Sequence, residues 1–189
     1  TVKQSGSLRP PTTRDLHYPR VIFTYEIPPQ EQDTFYMRFQ SGTSMTLHLT
    51  LWRQTLFFNN AILEQIAFGV FFGILIGLLF YNLFIFFSLK EVSYFYIILF
   101  LSSMILHEAS YNGYLETYIV PDLYFLKPYY HPVLFASMIA SVILFADSFL
   151  ELKKQSPKLH WVTLVSVIGF GILVLLVPFT SYGEIAKLL

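Results

Sequence analysis

The two longest stretches without a charged residue lie between Glu64 and Lys90 and between Lys158 and Glu184. Each gives enough helix to cross the roughly 30 Å hydrocarbon layer of a bilayer, so each predicts a membrane span. Between them the apolar pattern recurs in two further segments separated by polar or charged breaks. The spans expected are residues 66–89, 93–109, 132–150 and 161–179, with a fifth starting near Tyr182. Residues 56–65 mix Phe57, Phe58, Ile62 and Leu63 with Asn59, Asn60 and Glu64. No Gly or Pro interrupts them, so they read as a helical connector prolonging the first span.

Upstream, the periodicity changes from helical to alternating. Residues 1–19 show neither period and contain Pro10-Pro11, a loop composition. Val21, Phe23, Tyr25 and Ile27 then alternate with Ile22, Thr24 and Glu26 until Pro28-Pro29, which cannot donate ladder hydrogen bonds. Phe35, Met37 and Phe39 alternate in the same way up to the turn-forming Ser41-Gly42-Thr43-Ser44. A third run sets Met45, Leu47, Leu49 and Leu51 opposite Thr46, His48, Thr50 and Trp52. Residues 1–55 therefore predict antiparallel strands with one buried face. So few residues bury too little apolar surface to stand alone, and the remaining strands are expected before Thr1.

Composition agrees with a membrane reading: 54% of residues are hydrophobic, 19% aromatic and only 13% charged. The lipid bilayer is thus the first expected partner. A net charge of zero leaves no basic field for nucleic acid. With no Cys there are no disulfides and no thiolate chemistry. Orientation follows from the connections, because Lys and Arg in short loops stay on the cytoplasmic side. Lys90, Lys153, Lys154 and Lys158 lie in the connections after the first and third spans. The connection 107–131 has Lys127 against Glu108, Glu116 and Asp122, with aromatics at Tyr114, Tyr118, Tyr124, Phe125, Tyr129 and Tyr130. This puts the connection and residues 1–65 on the extracytoplasmic side.

Candidate chemistry is sparse. Gly69, Gly73 and Gly77 fall on one face of the first span, followed by Tyr81 and Asn82, and read as a helix-packing surface within one bundle or in a homodimer. An amide at Asn82 needs a partner in hydrocarbon, and interhelical bonding is the expected one. Asp147 near the inner end of its span is expected to pair with a neighbouring Lys. His107, Glu108 and Asn112 cluster at the outer end of the second span as candidates for a cation or polar ligand, although a solvated helix end explains them more simply. Tyr111 occupies the position four after His107, so no zinc-hydrolase HExxH pair exists. No nucleotide-binding or nucleophile-elbow motif occurs, and neither a cofactor, a metal nor a catalytic residue is expected.

The order of these parts resembles one family. Tyr36-Met37-Arg38-Phe39-Gln40-Ser41, Leu51-Trp52, and above all the stretch from Gly73 to Tyr96, GILIGLLFYNLFIFFSLKEVSYFY, are similar to bacterial seven-transmembrane receptors with diverse intracellular signalling modules. Asn112-Gly113, Tyr118-Ile119-Val120-Pro121 and Phe149-Leu150-Glu151-Leu152 extend the resemblance towards Leu189. It implies an extracytoplasmic jelly-roll β-sandwich that binds carbohydrate or another small ligand, then seven helices in the bacterial cytoplasmic membrane. A cytoplasmic output module such as a histidine kinase or nucleotide cyclase would follow, lying beyond this chain. The chain is thereby expected to be a non-catalytic receptor portion. The competing expectation is a transporter or channel subunit with an extracytoplasmic cap, its path lined by Asn82, Asp147 and the glycine face.

Overall fold

A computed structural model of the chain describes residues 3–6, 9–28, 33–40 and 49–185. Its architecture is a row of helices joined by tight connections. Helix α1 spans Gln54–Leu89, α2 Val92–Tyr111, α3 Lys127–Phe149, α4 Leu152–Gln155 and α5 Pro157–Ile185. Among the described residues, three segments are long and apolar enough to cross a membrane: Gln54–Leu89, Val92–Tyr111 and Pro121–Phe149. In α5 the stretch Pro157–Ile172 is apolar too, within a helix of 29 residues.

The segment 56–65 and the first span form one uninterrupted helix. At about 1.5 Å per residue its 36 residues run roughly 54 Å, well beyond the hydrocarbon thickness. Helix α1 stops at Lys90, which takes the left-handed conformation with φ 56° and donates its N–H to the Phe86 carbonyl at 2.7 Å. Glu151 (φ 46°) makes the corresponding reversal between α3 and α4. Helix α3 begins at Lys127, five residues before the expected start at Pro132. Pro128 sits in the first turn, where a missing N–H leaves no bond unmade, so a proline here opens the helix rather than delaying it. Pro132 is carried inside the helix.

Packing runs in chain order, α1 on α2, α2 on α3 and α3 on α5, with α2–α3 the most extensive interface. Side chains are sorted in the reverse of a water-soluble domain. Large apolar residues face outward, among them Phe84, Phe80 and Ile74 on α1 and Leu175 on α5. The buried positions include Ser103, Ser110 and Ser141. With hydrocarbon as solvent, burying Leu gains nothing, and small residues that allow close approach take over the interfaces. Serine hydroxyls mark the α2–α3 seam: Ser103 with Ser137 at 2.9 Å, Ser93 with Ser148 at 2.9 Å, and Ser141 donating to the Ser137 carbonyl.

No strand occurs among the described residues. The alternating runs 21–27 and 33–40 are irregular, and residues of both parities are exposed, Val21, Met37 and Phe39 as well as Tyr36. Tyr25 and Phe35 nevertheless meet at 4.4 Å between ring centroids, bringing the two runs together. An amphipathic strand needs a layer over its apolar face, and nothing described covers this one. The turn 41–44 and the start of the third run, through His48, lie outside the described residues.

Candidate functional site

Helix α2 ends where Asn112 and Gly113 turn the chain. Gly113 has φ +81° and donates its N–H to the Ser110 carbonyl at 3.0 Å, closing the helix with a left-handed glycine. A second constraint acts on the same residue, because a Cβ there would lie 2.5 Å from the Pro19 carbonyl oxygen. The segment before the membrane thus rests directly on this turn. Beyond it, a π-helical turn at Leu115–Ile119 and a 3₁₀ turn at Pro121–Leu126 lead into α3, so the connection expected as a long loop is compact and helical.

Glu116 on the π turn is 3% exposed. Its Oε1 accepts from Ser110 Oγ at 2.8 Å and from the Tyr130 hydroxyl, and lies 3.1 Å from Lys127 Nζ. The lysine also donates to the Ser110 carbonyl at 2.6 Å. Burial alone would push this carboxyl up; the hydrogen bonds from Tyr130 and Ser110 and the Lys127 charge outweigh it and hold the pKa below the ordinary range. One carboxylate thereby ties together the end of α2, the turn and the start of α3.

Arg14 approaches from the other side. Its Nη1 donates to the carbonyls of Tyr18 at 2.7 Å and Pro19 at 3.0 Å, and to Thr117 Oγ1 at 3.0 Å. Thr117 in turn donates to the Gly113 carbonyl at 2.6 Å. Nearby, the Tyr18 hydroxyl donates to Glu64 Oε2 of α1 at 3.1 Å, and Arg20 forms an ion pair with the same carboxylate. Burial and the Glu64 charge raise the Tyr18 phenol to about 12. Ring contacts reinforce both attachments: His17 with Tyr118 at 5.2 Å and Tyr18 with Phe57 at 5.5 Å. Residues 14–20 are therefore held at two points of the helical domain, the α2–α3 connection and the outward extension of α1.

Between these attachments lies a cavity of about 370 Å³, lined by Arg14, Arg20, Asn112, Glu116, Tyr124 and Lys127 among others.

The expected trio His107, Glu108 and Asn112 meets through Glu108, whose Oε1 lies 3.6 Å from His107 Nδ1 and whose Oε2 accepts from Asn112 Nδ2 at 3.4 Å. Asn112 lines the cavity and donates from Nδ2 to the Glu108 carbonyl at 3.0 Å. The His107 ring packs onto α3, stacked on His131 at 4.5 Å and near Phe135 at 5.5 Å. With a side chain 13% exposed, it is packed between helices rather than solvated. Among the described residues no group of three or more His, Cys, Asp or Glu could hold a metal ion. Asn82 donates to the Leu78 carbonyl of its own helix at 2.8 Å, where an interhelical bond was expected. Around Gly69, Gly73 and Gly77 the space is open, with no atom within 4 Å of an added Cβ, and Tyr81 is exposed. Asp147 pairs with His160 rather than lysine: both carboxylate oxygens lie within 2.9 Å of His160 Nδ1, and Thr163 Oγ1 donates to Oδ1 at 2.8 Å. The α3–α5 turn brings these groups in ahead of Lys154, whose charge goes to Glu151.

Sequence reading missed Arg14, Gly113, Glu116, Thr117 and Lys127. Arg14 sits in a stretch without periodicity, and its partner is 103 residues away. Gly113 could have been found, since Asn-Gly after a helical run signals a left-handed cap.

Comparison with known families divides the chain near the start of α1. The description "7TM diverse intracellular signalling" matches residues 64–189, and "7TMR-DISM extracellular 2" matches residues 1–53. The chain belongs to the 7TMR-DISM family. No curated protein and no solved structure matches it. As a 7TMR-DISM chain it is a multi-pass membrane protein of receptor type, and both matched parts are receptor domains rather than catalytic ones. The contacts of Arg14, Tyr18, Pro19 and Arg20 join the extracellular match to the membrane match.

Proposed function

We propose that this chain is the receptor portion of a bacterial signalling protein in the cytoplasmic membrane. It passes binding of a small extracytoplasmic molecule, a carbohydrate being the class the family resemblance implies, to a cytoplasmic output module. The observation that carries this reading is the two-point attachment of residues 14–20, to Thr117 and Gly113 on one side and to Glu64 on the other. A shift of the outer domain would act on α1 and on the α2–α3 connection together. Such a differential displacement of two packed elements can bias a two-state bundle. The unbroken helix from Gln54 supports the same reading, because it offers no flexible joint between outer part and span.

The test is to insert a short Gly/Ser linker within residues 54–60 of the intact receptor. Ligand binding should persist while output no longer responds to it. Output that still followed ligand after the insertion would defeat the mechanical reading.

A further inference from the structure

The cavity at the junction has a charge imbalance that its own residues do not resolve. Arg20 is paired with Glu64, and Lys127 with Glu116. Arg14 has no carboxylate partner among the described residues; its hydrogen bonds all leave through Nη1 towards neutral oxygens, and its Nε is buried without a partner. A guanidinium is planar, always charged and built to hold a two-oxygen anion with two parallel N–H donors, and half of that capacity is unused here. The cavity it lines, about 370 Å³, falls in the size range of small-molecule sites. Lys127 and Arg20 on its walls add positive charge, Asn112 adds an amide, and Tyr111 and Tyr124 supply aromatic walls. Glu116 is the single acid of the lining; its Oε1 is engaged by Lys127, Ser110 and Tyr130, while its Oε2 is buried without a hydrogen-bond partner and its charge acts on Arg14, leaving one negative against three positive groups.

We propose that this junction cavity binds an oxyanion, a carboxylate or phosphate group, with Arg14 as its principal anchor. The anion would bridge the extracellular segment, through Arg14 and Arg20, to the membrane domain, through Lys127 and Asn112. It would tighten the joint that the receptor reading depends on, and to that extent it rests on that reading. Two sources carry the same chemistry: a soluble anion of small size, and the phosphate of a lipid headgroup in the outer leaflet.

The test uses the full chain in phosphatidylcholine nanodiscs, with inorganic phosphate and acetate as probes at constant ionic strength set by sodium chloride. A saturable rise in melting temperature is expected with at least one probe. Arg14→Gln should weaken that binding at least tenfold. Arg14→Lys, which keeps charge but loses the fork, should bind with intermediate strength and guards against a folding defect in the first variant. Arg38→Gln, on an exposed residue outside the cavity, should bind as wild type. Adding phosphatidylglycerol to the nanodiscs separates the sources: a rise in melting temperature without added probe, lost in Arg14→Gln, identifies the headgroup. No saturable shift from either probe or from phosphatidylglycerol, or an equal loss in Arg38→Gln, overturns the proposal. Direct binding is read without any output, so that result would leave the linker experiment on the receptor mechanism standing.

Discussion

The two ends of α3 are both pinned by a carboxylate, buried at Glu116 and half-buried at Asp147, yet they do different work. At the inner end Asp147 meets His160 and Thr163, partners 13 and 16 residues along the chain, and the result is a locally closed hairpin between α3 and α5. At the outer end Glu116 gathers Ser110, Lys127 and Tyr130, and on the adjoining residue Thr117 receives Arg14 from 103 positions away. The inner site holds one turn in shape. The outer site lies where two domains of the family meet, so a change there is felt on both sides of the boundary. Polar groups within a membrane bundle are equally costly at either end, and only the reach of their partners separates structural pinning from coupling.

Substitutions at the two ends sharpen that contrast. Glu116→Gln should have the largest effect, about 3 kcal/mol, because it leaves the partly buried Lys127 ammonium without its counter-charge. Asp147→Asn should cost less, about 1–2 kcal/mol, since the amide oxygen still accepts from Thr163. Thermal unfolding in nanodiscs measures both, and a larger loss for Asp147→Asn would reverse the proposed ranking. Gly113→Ala comes next, at about 1–2 kcal/mol for the left-handed backbone alone. Contact with Pro19 should add a selective loosening of residues 14–20, detectable by limited proteolysis at Arg14 and Arg20. Ser103→Ala, in the α2–α3 seam between the two ends, should cost only about 0.6 kcal/mol, the average for interhelical hydrogen bonds in membranes.

Titration probes the outer end without mutation. The Tyr18 phenol is raised from 10 to about 12, so its protonated form is the one favoured by folding. Its contribution is fully present below about pH 10 and is lost as pH rises through about 12. Glu116 runs the other way, with a lowered folded pKa: its contribution is present above the ordinary carboxylate range and is lost as pH falls through the depressed value. Junction contacts should therefore loosen at both extremes of pH, as followed by tyrosine absorbance on the alkaline side and by melting temperature on the acid side. A junction indifferent to pH across both windows would show that neither group stabilises it.

The apolar helices were legible, the first above all, because a charge-free stretch of sufficient length has few alternatives in a chain this apolar. The connector was legible for a similar reason, as nothing between Gln54 and Glu64 breaks a helix. Pro132 misled the placement of α3, since proline signals a boundary without saying on which side the helix lies. The pairing of Asp147 was misjudged because His160 becomes a neighbour only after the chain reverses at Glu151. The junction was invisible for the deeper reason that Arg14 and Thr117 carry no local pattern; their relation exists only in the fold. The serine seam went unnoticed since serine is ordinary in composition and becomes informative only when the helix faces are known.

The central claim is that residues 14–20 and the α2–α3 connection form one mechanical unit, and hydrogen exchange of the full chain in nanodiscs tests it directly. Arg14→Ala removes the donors to Thr117 and to the Tyr18 and Pro19 carbonyls, bonds worth about 1.5–3 kcal/mol for a charged donor. The account predicts amide exchange roughly tenfold faster or more across residues 113–120, with α5 unchanged. Unaltered protection of residues 113–120 would contradict it.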